Sequence, residues 1–362
     1  MKKKVLHVIN SLTIGGAEML LANSLSPGGL NEHVENYLVY FIKGGDHLVT
    51  RVDKNVKQIC LDYRGGADII RLFRQLKKII TDNKIDIIHT HLNPADFYVN
   101  MVRPKNIPQV HTLHIAYTTD LETRRSLKYL ERKLFFNKPY CNLIFLSAFN
   151  KKDFVANVNF NGQSFIVPNF VDDAFFLHQP KHFTGSAGIP LKLIAIGNFR
   201  VQKNYFYLLE IFKLLKDHNI HLDMYGGGDL EKYKEVIDKN QLNVTLKGQV
   251  TNIKDVIADY DLFIMSSTNE GFPLSVFEAM AAGVPVMLTD IPPLIEIVND
   301  NALYFKLDDA EKAAQQIISI CQNRIDINKM AIKAKAYAEK TVRRDIYIKR
   351  LLDIYDQLTP PE

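Results

Sequence analysis

Glu270 and Glu278 stand eight residues apart in Glu270-Gly-Phe-Pro-Leu-Ser-Val-Phe-Glu278-Ala-Met-Ala-Ala-Gly283-Val-Pro-Val286. Pro273 suits the first turn of a helix, where its missing N–H costs nothing. The N-terminus of that helix can hold an anion. This places Glu270 in the loop at a strand end and Glu278 in the second helical turn. A carboxylate accepts two hydroxyl hydrogen bonds at once, which suits a sugar or a ribose diol. The alternative is that one of the two is a solvated helix charge.

A second stretch is Ser11-Leu-Thr-Ile-Gly15-Gly16-Ala17-Glu18, between a strand and a helix. Its glycines would let a phosphate or sugar approach bare backbone N–H groups, or they serve a plain turn. The spacing is not that of the G-x-G-x-x-G dinucleotide fingerprint. His89, His91, His111 and His114 could be read as metal ligands. Adjacent strand residues face opposite ways and no cysteine or close carboxylate completes a set, so His111 reads as a core residue. Asp259-Tyr-Asp261 has a D-x-D spacing, but Asp261 directly precedes an apolar run and reads as a turn or cap. No divalent metal and no other cofactor is expected.

The elements that carry these residues alternate. Of 362 residues, 47% are hydrophobic and 23% charged, which excludes disordered and collagen-like classes. The net charge of +5 is too mild to argue for a nucleic-acid partner. Cys60, Cys141 and Cys321 are far apart and make no disulfide framework, which favours a reducing, cytoplasmic setting. No apolar run is long enough to span a membrane. Strands are expected at 5–9, 37–42, 85–89, 109–113 and 143–146, and helices at 67–81, 95–102 and 121–136. The segment 170–191, with Pro180, Gly185, Gly188 and Pro190, reads as a linker. Strands then recur at 192–196, 220–225, 243–247, 262–265 and 284–288, with helices between and after them. Such alternation means an α/β protein with mostly parallel sheets, here two Rossmann-like domains facing a cleft.

With these motifs in place, the chain resembles the family-four retaining glycosyltransferases of the GT-B fold class. The stretch Glu270–Val286 resembles their E-x7-E signature, and Gly15-Gly16-Ala17-Glu18, Ile85–His91, Pro168-Asn169 with Asp172, Gly197–Lys203, Gly226-Gly227-Gly228 and Gly248-Gln249-Val250 follow in order. The resemblance implies an N-terminal domain over 1–175, completed by the C-terminal helix 344–362, and a donor-side domain over 190–343. It implies that Glu278 binds the donor ribose and Glu270 the transferred sugar. Phe272, Pro273 and Leu274 would meet sugar and diphosphate through their backbone, Gly16 the diphosphate, and Gln249 and Val250 the base. Lys203 would neutralise the leaving diphosphate, and His114 would lie near the sugar's reacting face. The family usually carries arginine directly after the strand's glycine; here that position is Asn198, and Arg200 is the substitute cation. Phe170 likewise replaces the glycine of a Pro-Asn-Gly turn.

The implied partners are a nucleotide-sugar donor and a glycan or lipid-linked acceptor, in bacterial surface polysaccharide or glycolipid synthesis. Arg124, Arg125, Lys128, Arg132 and Lys133 put a basic face on the helix expected at 121–136. That face suits either plain solvation or the anionic headgroups of the inner membrane face. Rival readings are a nucleotide-sugar epimerase of the same shape, a non-catalytic nucleotide-sugar-binding scaffold and, last, a dehydrogenase.

Overall fold

A computed structural model describes the chain except for residues 1, 14, 45–46, 115–134, 137, 185–188, 251 and 360–362. The basic helix expected at 121–136 therefore lies outside the described residues, apart from the buried Phe135 and Phe136. The chain divides into two units, Met1–Phe170 with Arg344–Glu362, and Val171–Arg343.

In the first unit, β1 (Lys4–Ile9), β2 (Glu35–Tyr40), β3 (Lys57–Cys60), β4 (Ile87–His91), β5 (Gln109–Leu113), β6 (Asn142–Phe145) and β7 (Gln163–Ile166) form one sheet in the order β3-β2-β1-β4-β5-β6-β7. All its pairings are parallel. Helices α1 (Gly16–Ser24), α2 (Ile69–Asp82), α3 (Ala95–Val102) and α4 (Ala148–Asn157) connect its strands. Helix α2 shows the pattern in miniature: Leu72, Leu76 and Ile80, at a spacing of four, are its buried stripe. The central strands are buried along their length, as strands covered on both faces must be. Strand β4 runs two residues later than the sequence suggests, from Ile87 through His91. Ile85 instead lies in the approach to the strand, its N–H bonded to the Ile80 carbonyl.

In the second unit, β8 (Leu191–Ile196), β9 (Ile220–Tyr225), β10 (Val244–Gly248), β11 (Leu262–Met265), β12 (Val286–Thr289) and β13 (Leu303–Phe305) form a parallel sheet ordered β10-β9-β8-β11-β12-β13. Around it are α5 (Tyr205–Leu214), α6 (Glu231–Asn240), α7 (Ile253–Val256), α8 (Leu274–Ala281), α9 (Pro292–Val298), α10 (Ala310–Cys321) and α11 (Ile327–Thr341). This is the doubly wound α/β architecture, whose ligands meet the carboxyl ends of the strands.

The segment expected to be a linker begins instead as part of the second unit. Val171 and Phe175 are buried with Val276, Phe277 and Ala279, and the Val171 N–H donates to the Val342 carbonyl. The last helix, α12 (Arg344–Leu358), packs on the first unit. Its Tyr347, Ile348, Leu351, Ile354 and Tyr355 join the core made by Val5, Ile9, Leu38 and Ile87.

Candidate active site

In the second unit the turns after β8 and β9 interlock. The Gly197 N–H donates to Tyr225 O (2.9 Å), the Phe199 N–H to Gly227 O (2.8 Å) and the Gly226 N–H to Gly248 O (2.9 Å). A Cβ on Gly226 would collide with the Gly197 carbonyl, so glycine is a steric requirement there. Asn198 braces this turn, its Oδ1 accepting the Gly227 N–H at 3.2 Å. An arginine could not make that bond, because a guanidinium carries no acceptor. Gln249 lies against the same turn, its Oε1 3.0 Å from where a Gly227 Cβ would stand. Val250 packs partly buried against the core below. Arg200 is exposed, and its guanidinium makes no ion pair among the described residues.

The turn Val201–Lys203 carries its lysine back over the sheet edge. Ser266 Oγ donates to Lys203 O (2.8 Å) and Asn204 O (3.1 Å), and the Thr268 N–H donates to Gln202 O (2.8 Å). These bonds tie the turn to the segment after β11. Gly197 leaves room for the lysine stem, since a Cβ there would lie 3.0 Å from Lys203 Cε. The result is a short ion pair: Lys203 Nζ donates to Glu270 Oε1 at 2.6 Å, with side-chain exposures of 15% and 9%. Ser267 Oγ donates to the same oxygen at 2.6 Å. The other carboxylate oxygen accepts nothing among the described residues. One edge of Glu270 is therefore fixed by the protein and the other can receive a ligand hydroxyl. Burial, and then the Glu270 charge, pushes the neighbouring Tyr205 phenol above its ordinary range.

Helix α8 starts just beyond, with Pro273 at its N-cap and no side-chain cap. Its opening amides at Leu274 and Ser275 are therefore open to an anion. Phe272 stacks on Phe277 (4.9 Å between ring centres, 6° between planes), which sets the entry angle of the loop. Glu278 follows one turn later. Burial, reinforced by the Asp172 charge, raises its carboxyl to about 7. Sequence reasoning gave Asp172 no role and missed Ser267; a pair of serines just before an acidic loop was the only available signal.

Site residues in the first unit lie at two strand ends. Gly16 opens α1 behind an uncapped Gly15, and a Cβ on Gly16 would meet nothing within 4 Å. The space beside its Cα is open. The Glu18 carboxyl folds back beside Gly15, and burial raises it. His114 directly follows β5. Its Nε2 is 3.4 Å from His91 Nδ1, and burial lowers the ring to about 3.

Three of the histidines, His7, His89 and His91, share one face of the sheet: His89 and His91 are two apart on β4, and His7 lies beside them in register on β1. Their ring nitrogens already have partners. His7 bonds Asn36 (3.1 Å) and His91 (3.4 Å), and His89 bonds Tyr355 Oη and Thr112 Oγ1 (2.7 Å each). His111 is on the other face, buried, with Thr90 Oγ1 at 3.0 Å. Asp261 is structural: it accepts from Lys181 Nζ (2.7 Å) and the Lys192 N–H (2.9 Å).

The described geometry is a cation, two carboxylates and a helix N-terminus at the carboxyl edge of a parallel sheet. Comparison with known families decides what kind of protein it is. The family Glycosyl transferases group 1 matches residues 182–341, and Glycosyltransferase Family 4 matches residues 24–175. The chain belongs to glycosyltransferase family four. The transferase is 24% identical over 309 residues to the UDP-Gal:alpha-D-GlcNAc-diphosphoundecaprenol alpha-1,3-galactosyltransferase of Escherichia coli, covering 80% of this chain and 78% of that protein. A glycosyltransferase from Rickettsia africae superposes with a TM-score of 0.81 at 19% identity over the full length of both chains. Anabaena HepE in complex with UDP-glucose gives 0.79 at 15%, covering 98% of this chain and 100% of that one. These likenesses give the fold class, GT-B, with two Rossmann-like domains.

Two expectations follow for the transferase. The Glu278 carboxylate, the form that accepts two hydroxyls, is populated only as pH rises past about 7. In spectra of the 13C-glutamate-labelled protein, one side-chain carboxyl should therefore titrate near 7, and Glu278→Gln should remove that signal. The second concerns stability. His7 and His114 titrate near 4 and 3 when folded and near 6.5 when unfolded, so the unfolded chain binds more protons below 6.5. Stability present above pH 6.5 should be lost as pH falls towards 4, read as a falling melting midpoint that His7→Phe makes less steep.

Proposed function

We propose that the chain is a retaining glycosyltransferase that moves a sugar from a nucleoside-diphosphate sugar to a glycan or lipid-linked acceptor, in bacterial surface polysaccharide or glycolipid synthesis. The observation that carries this is the buried Lys203–Glu270 pair beside the uncapped start of α8. The named activity of the Escherichia coli relative and the UDP-glucose held by HepE support a uridine nucleotide donor and a lipid-linked diphosphate among the acceptor types.

In this reading Lys203 Nζ turns from Glu270 towards the diphosphate, where a fixed cation stabilises the charge that develops on departure. The amides of Leu274 and Gly16 add backbone donors. Phe272 and Pro273 shape the wall around sugar and phosphate. Glu270 holds a sugar hydroxyl through its free oxygen and Glu278 the ribose diol. Gln249 and Val250 border the base, His114 the sugar, and Arg200 is the second cation, on a side chain with no ion-pair partner among the described residues. The acceptor hydroxyl attacks the anomeric carbon on the face from which the diphosphate leaves. The bond from that carbon to the phosphate oxygen breaks, and that oxygen takes the acceptor's proton. Configuration is retained and no protein nucleophile is required.

Glu270→Ala should lower transfer by about 10²–10³-fold in a chain that still folds, with a lower melting midpoint because Lys203 is left unpaired, measured as initial rate with a panel of UDP-sugars; near-normal turnover would refute the assigned role. Lys203→Ala should do the same, lowering the melting midpoint because it leaves Glu270 buried and unpaired. Since Lys203 supplies the cation, chelation by EDTA is expected to leave the initial rate unchanged. A rate that collapses with EDTA and returns with magnesium would require another account of the leaving group.

A further inference from the structure

The buried histidines of the first unit form a directional chain. Its direction follows from groups that can only accept. Asn31 Nδ2 donates to the Leu25 carbonyl (3.2 Å), so Asn31 Oδ1 faces Asn36 and accepts its Nδ2 (2.6 Å). Asn36 Nδ2 also reaches the Val34 carbonyl (3.4 Å). Both bonds fix the Asn36 amide with Oδ1 towards His7 Nε2, 3.1 Å away. His7 must then carry its proton on Nε2 and present a lone pair on Nδ1. That lone pair faces His91 Nε2 at 3.4 Å, so His91 is the donor there. Its own Nδ1 lone pair faces His114 Nε2 at 3.4 Å. Each step leaves one choice, because two lone pairs or two N–H groups cannot face each other. His7 and His91 are essentially free of solvent exposure, so water cannot relax the rule. Desolvation keeps His7, His91 and His114 neutral near pH 7.

We propose that Asn36, His7 and His91 are positioning residues that lock His114 as its Nε2–H tautomer, so that it meets the bound substrate as a hydrogen-bond acceptor through Nδ1. His114 Nδ1 has no partner among the described residues, and the residue keeps partial exposure. The contact with substrate rests on the placement of His114 at the donor sugar; the lock itself does not. It predicts a preference for a sugar hydroxyl that can donate, and a lower affinity for analogues with fluorine or an ether at that place.

Long-range 1H–15N correlation spectra of the histidine-labelled protein at pH 7.5 read each ring's tautomer directly. All three rings should be protonated on Nε2 alone. His7→Leu removes the acceptor for His91, which can then turn its proton towards His114; the His114 nitrogens should shift towards a mixture, and Asn36→Leu should do so more weakly. The binding arm uses whichever of UDP-glucose, UDP-galactose and UDP-N-acetylglucosamine raises the melting midpoint most. Its affinity advantage over UDP should fall about 3–10-fold in His7→Leu, the size of one lost hydrogen bond. A wild-type His114 protonated on Nδ1, or one unmoved in both variants, overturns the lock. A lock that holds while His114→Leu keeps the full sugar advantage overturns the substrate contact and, with it, the placement of His114. Stoichiometric tightly bound zinc in the purified protein would also overturn the chain, since a metal would replace its protons.

Discussion

The 2.6 Å pair between Lys203 and Glu270 is the constraint around which the site-bearing edge of the second unit is built. Two nearly buried charges must face each other at the carboxyl edge of the sheet. Removing either would leave the other uncompensated in a poorly solvated place. The serine bonds that stitch the Val201–Lys203 turn to the segment after β11 make this meeting obligatory, and Ser267 settles which carboxylate oxygen is used. The glycines at 197 and 226 follow from the same demand. The lysine stem needs the room over one, and the interlocked turn needs the absence of a side chain on the other. The pair is thus a structural clasp and, in the function proposed above, also the charge that the diphosphate engages.

The first unit shows the opposite economy. Its sheet face beneath α12 sets histidines among apolar residues where a doubly wound sheet is ordinarily apolar throughout, yet the histidines bond one another, two hydroxyls and an amide. Closed networks of this kind cost little while complete and much when one member is lost. Tyr355 brings the last helix into that network, so the helix is held by chemistry as well as by the apolar contacts of Tyr347, Leu351 and Ile354.

Strands β5, β9 and β11 were legible, beginning and ending where the sequence reading expects them, although only β11, Leu-Phe-Ile-Met, is a continuous apolar run; β5 and β9 carry polar residues between their apolar ones. The strands at Lys57–Cys60, Gln163–Ile166 and Leu303–Phe305 were not, being short, at sheet edges and half-exposed, so neither alternation nor a run marks them. Motif order singles out individual residues, but it does not give their couplings. Lys203 and Glu270 are 67 positions apart, and only the strand order β8-β11 makes them neighbours. Asn198 looked like a missing charge; its bond to Gly227 gives it a reason of its own. The histidines misled because a two-residue error in the limits of β4 hid the fact that His89 and His91 point the same way.

The division of the chain has a consequence for how the protein is made. The first unit needs α12, yet the ribosome delivers Arg344–Leu358 only after the whole of the second unit. Until then the face that α12 covers, with Val5, Ile9, Leu38 and Ile87 beside the histidines, stays open on the nascent chain. The second unit is contiguous, from Val171 to Arg343, and can close as soon as it has emerged. The half synthesised first is therefore finished last, with its apolar face uncovered during that interval.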